Sequence, residues 1–243
     1  MTEKTIINIS SYKFIALENV STLKELLSAM AARHALKGTI LLSNEGINVN
    51  LAGTRDNIDA FEVEFKKDVR FSDMFFKESP SQETPFQKLL VRIKPEIITM
   101  GVPEIDAVSE HGQDLEPEEF KQWMDEGRDI VVLDTRNDYE VEAGTFDSAV
   151  DLHIENFRDF PKAIESLDES AKEKPLVMFC TGGVRCEKAS LLMEKKGFKH
   201  VYQLKGGILN YFEKCGGAHY HGDCFVFDER ITVNPKLEQT GVK

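Results

Sequence analysis

One stretch constrains this chain more than any other: Leu176-Val-Met-Phe-Cys180-Thr-Gly-Gly-Val-Arg185-Cys186-Glu-Lys188-Ala-Ser-Leu-Leu-Met193. Four consecutive apolar residues, Leu176 to Phe179, read as a strand buried on both faces, the kind found in parallel sheets. That strand delivers a cysteine into a glycine-containing loop, and a helix starts immediately afterwards. Ile130-Val-Val-Leu133 is a second strand of this kind and ends directly in Asp134. Ligand sites in open α/β sheets lie beyond the carboxyl ends of the strands. Cys180 and Asp134 therefore mark one end of a parallel sheet as a place where chemistry happens.

The rest of the chain organises around that sheet. Pro117 suits a first helical position, Phe120, Trp123 and Met124 form one apolar face, and Gly127 ends the helix. Upstream, residues 5–17 are β-rich, and Ser21 is placed to cap a helix running to about Ala35, with Leu23, Leu26, Leu27 and Met30 at helical spacing. Residues 39–51 read as two strands joined by a turn at Asn44-Glu45-Gly46. A helix with Ile58, Phe61 and Phe65 on one side follows, and a last strand is expected over 89–98. This β-α-β-β-α-β order predicts a ferredoxin-like α+β sandwich. The expected division is 1–100 for the sandwich, 101–116 for a polar linker, 117–219 for the α/β domain, and 220–243 for a C-terminal extension.

Residue types in the Cys180 loop point to an activated thiol. Gly182 and Gly183 can both take positive φ and turn successive amide N–H groups inward as a nest around the sulfur. The helix N-terminus and Arg185 add positive potential, and all three favour thiolate over thiol. The loop as a whole, Thr181, Gly182, Gly183, Val184, Arg185 and Cys186, is read as the active site, with Asp134 and Arg136 supporting it. Cys186 opens the helix, where the dipole also favours thiolate, and its side chain is expected to point along the helix, away from the nest.

The formal net charge of −12 argues against a general nucleic-acid binder. A local basic run is present all the same: Arg185, Lys188, Lys195, Lys196, Lys199, Lys205 and Lys214, opposed only by Glu187, Glu194 and Glu213. Arg185, Lys188 and Lys205 are the expected substrate contacts. The four cysteines all lie in the last third, where catalysis, metal binding or packing are the uses expected in a reducing compartment. Cys215 and Cys224 stand near His219 and His221, but at spacings unlike a structural zinc site, so no metal is expected. Neither a dinucleotide fingerprint nor a phosphate-binding loop occurs. Met1-Thr-Glu-Lys-Thr-Ile-Ile lacks the basic and apolar regions of a signal peptide, and no apolar run is long enough to span a bilayer. A cytoplasmic location without membrane association is expected.

The loop resembles the active-site loop of the rhodanese family, and the resemblance continues on both sides. Asp134-Thr-Arg136-Asn-Asp-Tyr-Glu140 followed by Gly144 is similar to that family's Asp-x-Arg-x-x-x-Glu-x-x-x-Gly segment, and Leu204-Lys205-Gly206-Gly207 resembles its Gly-Gly signature. Arg185 stands five residues after the cysteine, whereas phosphate-reading relatives place it six residues on. The shorter loop suits a small species on sulfur. One departure is Gly144-Thr145-Phe146, where Gly-His-Ile is common.

A narrower resemblance spans nearly the whole chain. Leu42-Ser-Asn-Glu45-Gly46-Ile47-Asn48, the segment from Lys77-Glu-Ser79-Pro-Ser81 through Val91-Arg-Ile-Lys94-Pro-Glu96, and Cys224-Phe-Val-Phe-Asp228 resemble the oxygen-dependent tRNA uridine hydroxylases, although Val49 stands where a glycine is usual. The resemblance implies formation of 5-hydroxyuridine at the wobble position, with tRNA as the partner, dioxygen as co-substrate, no organic cofactor evident, and no stable protein partner. Two other readings stand beside it: a sulfurtransferase carrying a Cys180 persulfide at the same site, and a non-catalytic docking module with the N-terminal sandwich as its interaction domain. Docking is disfavoured because such modules commonly lack the cysteine.

Overall fold

The computed structural model describes residues 5–241. Residues 1–4, and with them part of the reading that no targeting signal is present, lie outside that range. The chain divides into two compact units. Among the described residues, one holds 5–97 together with Asp228–Arg230, and the other holds Ile98–Phe227 and 231–241.

The first unit runs β1 (Ile6–Phe14), α1 (Val20–Arg33), β2 (Lys37–Ser43), β3 (Gly46–Thr54), α2 (Arg55–Phe65), β4 (Lys77–Ser81) and β5 (Leu89–Ile93). Its sheet has the order β4-β1-β3-β2-β5, antiparallel except where β5 joins β2 in parallel. Leu23, Leu27 and Ala31 of α1 and Ile58, Phe61 and Phe65 of α2 share one core with Ile9, Ile40, Val49 and Leu51 of the strands. The helical spacing of one set meets the alternation of the other, and the ferredoxin-like sandwich results.

Two details differ from the sequence reading. The strand that completes the sandwich beside β1 is Lys77–Ser81, and the expected last strand, shortened to Leu89–Ile93, is an additional fifth one. Lys-Glu-Ser-Pro-Ser has no apolar alternation to reveal it. Pro80 is tolerated there because β4 is an edge strand, where a missing N–H costs no ladder bond. The cap of α1 is Asn19, in a left-handed conformation with φ 52°, and Ser21 lies within the first turn.

The second unit contains β6 (Gln113–Leu115), α3 (Pro117–Asp125), β7 (Val131–Asp134), α4 (Asp138–Val141), β8 (Gly144–Phe146), β9 (Val150–Asp151), α5 (Phe160–Ala163), β10 (Pro175–Phe179), α6 (Val184–Lys195), β11 (His200–Leu204), α7 (Gly207–Cys215), β12 (Tyr220–Gly222), β13 (Cys224–Phe225) and β14 (Thr232–Val233). Five parallel strands take the order β6-β11-β10-β7-β9, so β10 is the central strand. Phe179 stands opposite Asp134 in that ladder, which brings the ends of the two chemistry-bearing strands side by side. No helix among the described residues is long and apolar enough to cross a membrane.

Both expected borders of this domain move outward. The polar segment read as a linker over 101–116 contains β6, which pairs with β11. Only Leu115 of that strand is buried, too weak a signal to stand out. Most of the expected extension from residue 220 onward belongs to the domain, Asp228–Arg230 being counted with the first unit. Strand β12 pairs with β8, and Tyr220, Cys224, Val226 and Val233 share a core with Phe120, Phe146 and Phe179.

Candidate active site

Cys180 follows the last residue of β10 and is only 1% exposed. Gly183, with φ 101°, is the N-cap of α6, and its N–H donates to Cys180 Sγ at 3.1 Å. The Arg185 amide is a second donor to the sulfur. The expected nest is therefore built from residues 183 and 185. Gly182 does not share the positive φ foreseen for it, because one left-handed residue suffices to turn the chain into the helix. Behind the loop, the start of α7 clamps the backbone, with Ile208 N–H donating to Cys180 O at 3.0 Å and Leu209 N–H to Thr181 O at 3.1 Å. A Cβ on Gly207 would lie 2.4 Å from Cys180 O. The second glycine of Gly206-Gly207 thus permits this approach of helix to loop.

Two buried arginine–carboxylate pairs frame the thiol. Arg185 Nη1 and Nη2 each donate to Glu140 at 2.7 Å, and Thr181 Oγ1 donates to Glu140 Oε1 at 3.3 Å. Arg136 forks onto Asp134 through Nε at 2.9 Å and Nη2 at 2.6 Å, and also reaches the Gly144 carbonyl at 2.6 Å. Thr145, which replaces the family's usual histidine, donates to Asp134 Oδ2 at 2.8 Å. Planar forks on both sides satisfy charges that burial alone would make very costly. The Arg136 pair ties β7 to the loop after it. The Arg185 pair holds a cation beside the sulfur.

The two loop sulfurs are driven in opposite directions. Burial pushes the Cys180 thiol up, but the Cys186 thiol, the Arg185 guanidinium and the amides of Arg185 and Gly183 together outweigh it and bring it down to about 5. Cys186 is also fully buried. Burial comes first in raising it well above the ordinary thiol value, and the neighbouring Cys180 sulfur adds to the effect. This corrects two expectations for Cys186. Its side chain meets Cys180 and lies 3.8 Å from Thr135 Oγ1, and it stays a neutral donor because desolvation exceeds the helix dipole. A cradle of this kind holds a nucleophilic sulfur anion ready at neutral pH.

Residues 6–97 match the UPF0176 acylphosphatase like domain, and residues 116–214 match the rhodanese-like domain. The protein named tRNA uridine(34) hydroxylase in Cupriavidus metallidurans is 49% identical over 241 residues, covering 97% of this chain and 86% of its own. Its namesake in Bordetella petrii is 48% identical over 241 residues, covering 97% of this chain and 96% of its own. The chain belongs to the tRNA uridine(34) hydroxylase family.

In this hydroxylase-family chain the basic run does not form the free positive face expected of it. Lys188 is 2% exposed and donates to the Ile98 carbonyl at 3.2 Å, so it is a buried structural residue. Lys205 and Lys214 share Glu116, and Lys199 pairs with Glu173 at 2.7 Å. Carboxylates distant in sequence fold back onto these lysines, which a local count of charges does not register. Cys224 is buried in the core and its thiol is pushed up to about 12 by desolvation. His219 and His221 both pair with Asp147. One group, Asp138, Asp151 and His153, brings three possible metal ligands within 4.8 Å of one another, and His153 there bridges the two carboxylates. Sequence reasoning left Glu140 out of the site. Its signal was present as the glutamate of the Asp-x-Arg-x-x-x-Glu segment, since a buried arginine needs a carboxylate.

Proposed function

We propose that this chain hydroxylates C5 of the uracil at position 34 of tRNA, with dioxygen as oxidant and Cys180 as the nucleophile. The observation that carries this reading is the Cys180 sulfur itself, a buried strand-end thiol bound by the Gly183 N–H at 3.1 Å beside the Arg185–Glu140 pair. A thiolate adding to C6 of uracil makes C5 electron-rich, and C5 then attacks an oxygen electrophile. Departure of the C5 proton and expulsion of the sulfur restore the ring. The balance is set by the chemistry: one oxygen atom enters the C5–H bond, and the other leaves as water with two electrons and two protons from a reductant. Thr181, Gly182, Gly183 and Val184 shape the loop, Arg185 keeps the sulfur anionic, and Asp134 and Arg136 hold the loop in place. Lys205 remains an exposed contact for RNA, while Lys188 is reassigned to the fold.

The same sulfur suits a persulfide carrier, and relatives 49% identical over almost the whole chain favour the hydroxylase. The reading also places the enzyme in the cytoplasm, acting on tRNA without a stable protein partner. Nucleoside mass spectrometry of total tRNA from a deletion strain tests it. The expected result is loss of 5-hydroxyuridine and its derivatives. Unchanged nucleosides with diminished sulfur transfer would replace it with the persulfide reading.

A further inference from the structure

Beside the Cys180 loop lies a run of aromatic rings that the chemistry at sulfur does not use. Phe227 is 59% exposed, and its ring sits over the Arg185 guanidinium at 5.7 Å. Phe225 meets Phe227 edge-on at 5.4 Å and Tyr139 edge-on at 5.1 Å. Tyr139 is itself 44% exposed. The run is anchored to the loop, because the single Thr181 Oγ1 proton is shared between Glu140 Oε1 and the Phe225 carbonyl, each 3.3 Å away. A large apolar ring left in water beside a charged site is costly unless something covers it. Here one side of the Phe227 ring is taken by a guanidinium that is itself neutralised by Glu140, and the ring remains largely exposed.

We propose that Phe227 is the stacking platform for the target uracil, with Tyr139 and Phe225 fixing the angle of its ring. The inference rests on the function proposed above and deepens it by naming the residue that receives the base. The chemistry favours this occupant on three counts. Single-stranded RNA bases are captured by stacking on aromatic side chains. The aromatic run is continuous with the loop that holds the nucleophile. The basic residues next to it in sequence are buried or ion-paired, so backbone contacts alone would not seat the base.

The test is a thermodynamic cycle on the full chain with an anticodon stem-loop RNA, either intact or abasic at position 34. Phe227→Ala should weaken binding of the intact RNA by about 5- to 150-fold, the range for losing one base–aromatic stack. It should leave binding of the abasic RNA unchanged, and Phe227→Tyr should restore wild-type affinity. The pH profile of Cys180 alkylation should not move in Phe227→Ala. Equal losses on intact and abasic RNA would overturn the proposal and make the ring a partner for some other surface. A displaced alkylation profile would also overturn it, by assigning Phe227 to the support of Arg185. Conversion of uridine 34 by the wild-type chain is scored in parallel. Conversion without coupling in the cycle removes the platform alone, whereas wild-type protein that neither binds nor converts the RNA removes both readings.

Discussion

Cys180 and Cys186 lie six residues apart, share one loop and are both shut away from water. One sulfur is brought down to about 5 and the other is raised well above the thiol range. Burial acts on both in the same direction and is the largest influence on each, so burial does not distinguish them. Donors do. Cys180 receives two backbone N–H groups and the Cys186 thiol and lies beside the Arg185 guanidinium, whereas Cys186 has an anionic neighbour and a 3.8 Å contact with the Thr135 hydroxyl, which donates to the Phe179 carbonyl at 2.9 Å. Nucleophilicity in this loop is thus decided by which sulfur the backbone turns toward, and the other becomes the first one's hydrogen-bond donor.

The strongest way to break this contrast is Cys180→Ser. Hydroxylation should fall by about 1,000-fold or more, as when other catalytic nucleophiles are removed, with the thermal transition close to wild type. Activity persisting in tRNA from a strain carrying this variant would exclude covalent catalysis. In the wild type, alkylation of Cys180 should rise with pH through a midpoint of about 5 and level off roughly one to two pH units higher, with Cys186 unreactive throughout that range. The stability linkage has the same origin. The folded value lies below the unfolded one, so the thiolate's contribution is complete above the ordinary thiol range and is lost as pH falls through about 5.

Arg185→Met sharpens the electrostatic half of the comparison. It removes the cation and leaves Glu140 buried without a partner, which should cost about 3–5 kcal/mol of stability by chemical denaturation. The alkylation midpoint of Cys180 should move up by about one pH unit or more. Adding Glu140→Gln should recover much of the stability, because the stranded charge is gone, without restoring the acidic thiol. Recovery of both together would mean that the backbone amides alone set the acidity.

The smallest effect is expected for Cys186→Ser. A serine hydroxyl still donates to the thiolate, so activity should fall only by roughly tenfold or less, the value of one neutral hydrogen bond, with a small rise in the Cys180 midpoint. Single-turnover kinetics on purified tRNA measures it. A loss as deep as that of Cys180→Ser would show that the two sulfurs turn over as a redox pair.

What the sequence determined by itself was the part written in local pattern. Continuous apolar runs announced the strands ending at Asp134 and Cys180, and helical spacing announced the core faces of Leu23, Leu27, Ile58 and Phe61. Glycine, arginine and helix start in one short stretch marked Cys180 out as the proposed nucleophile, because the nest and the helix terminus are built from neighbours in the chain. Tertiary structure alone decided whatever depends on partners distant in sequence. Strand β4 carries no apolar alternation, so only its pairing with β1 reveals it. Lys188 counted as a surface charge until the fold buried it, and Lys205 until Glu116 paired with it. Glu140 reaches Arg185 across 45 residues, and Phe227 reaches the same guanidinium from the far end of the domain. Charge, burial and ring contacts are sums over neighbours in space, and a linear sequence specifies those neighbours only once it has folded.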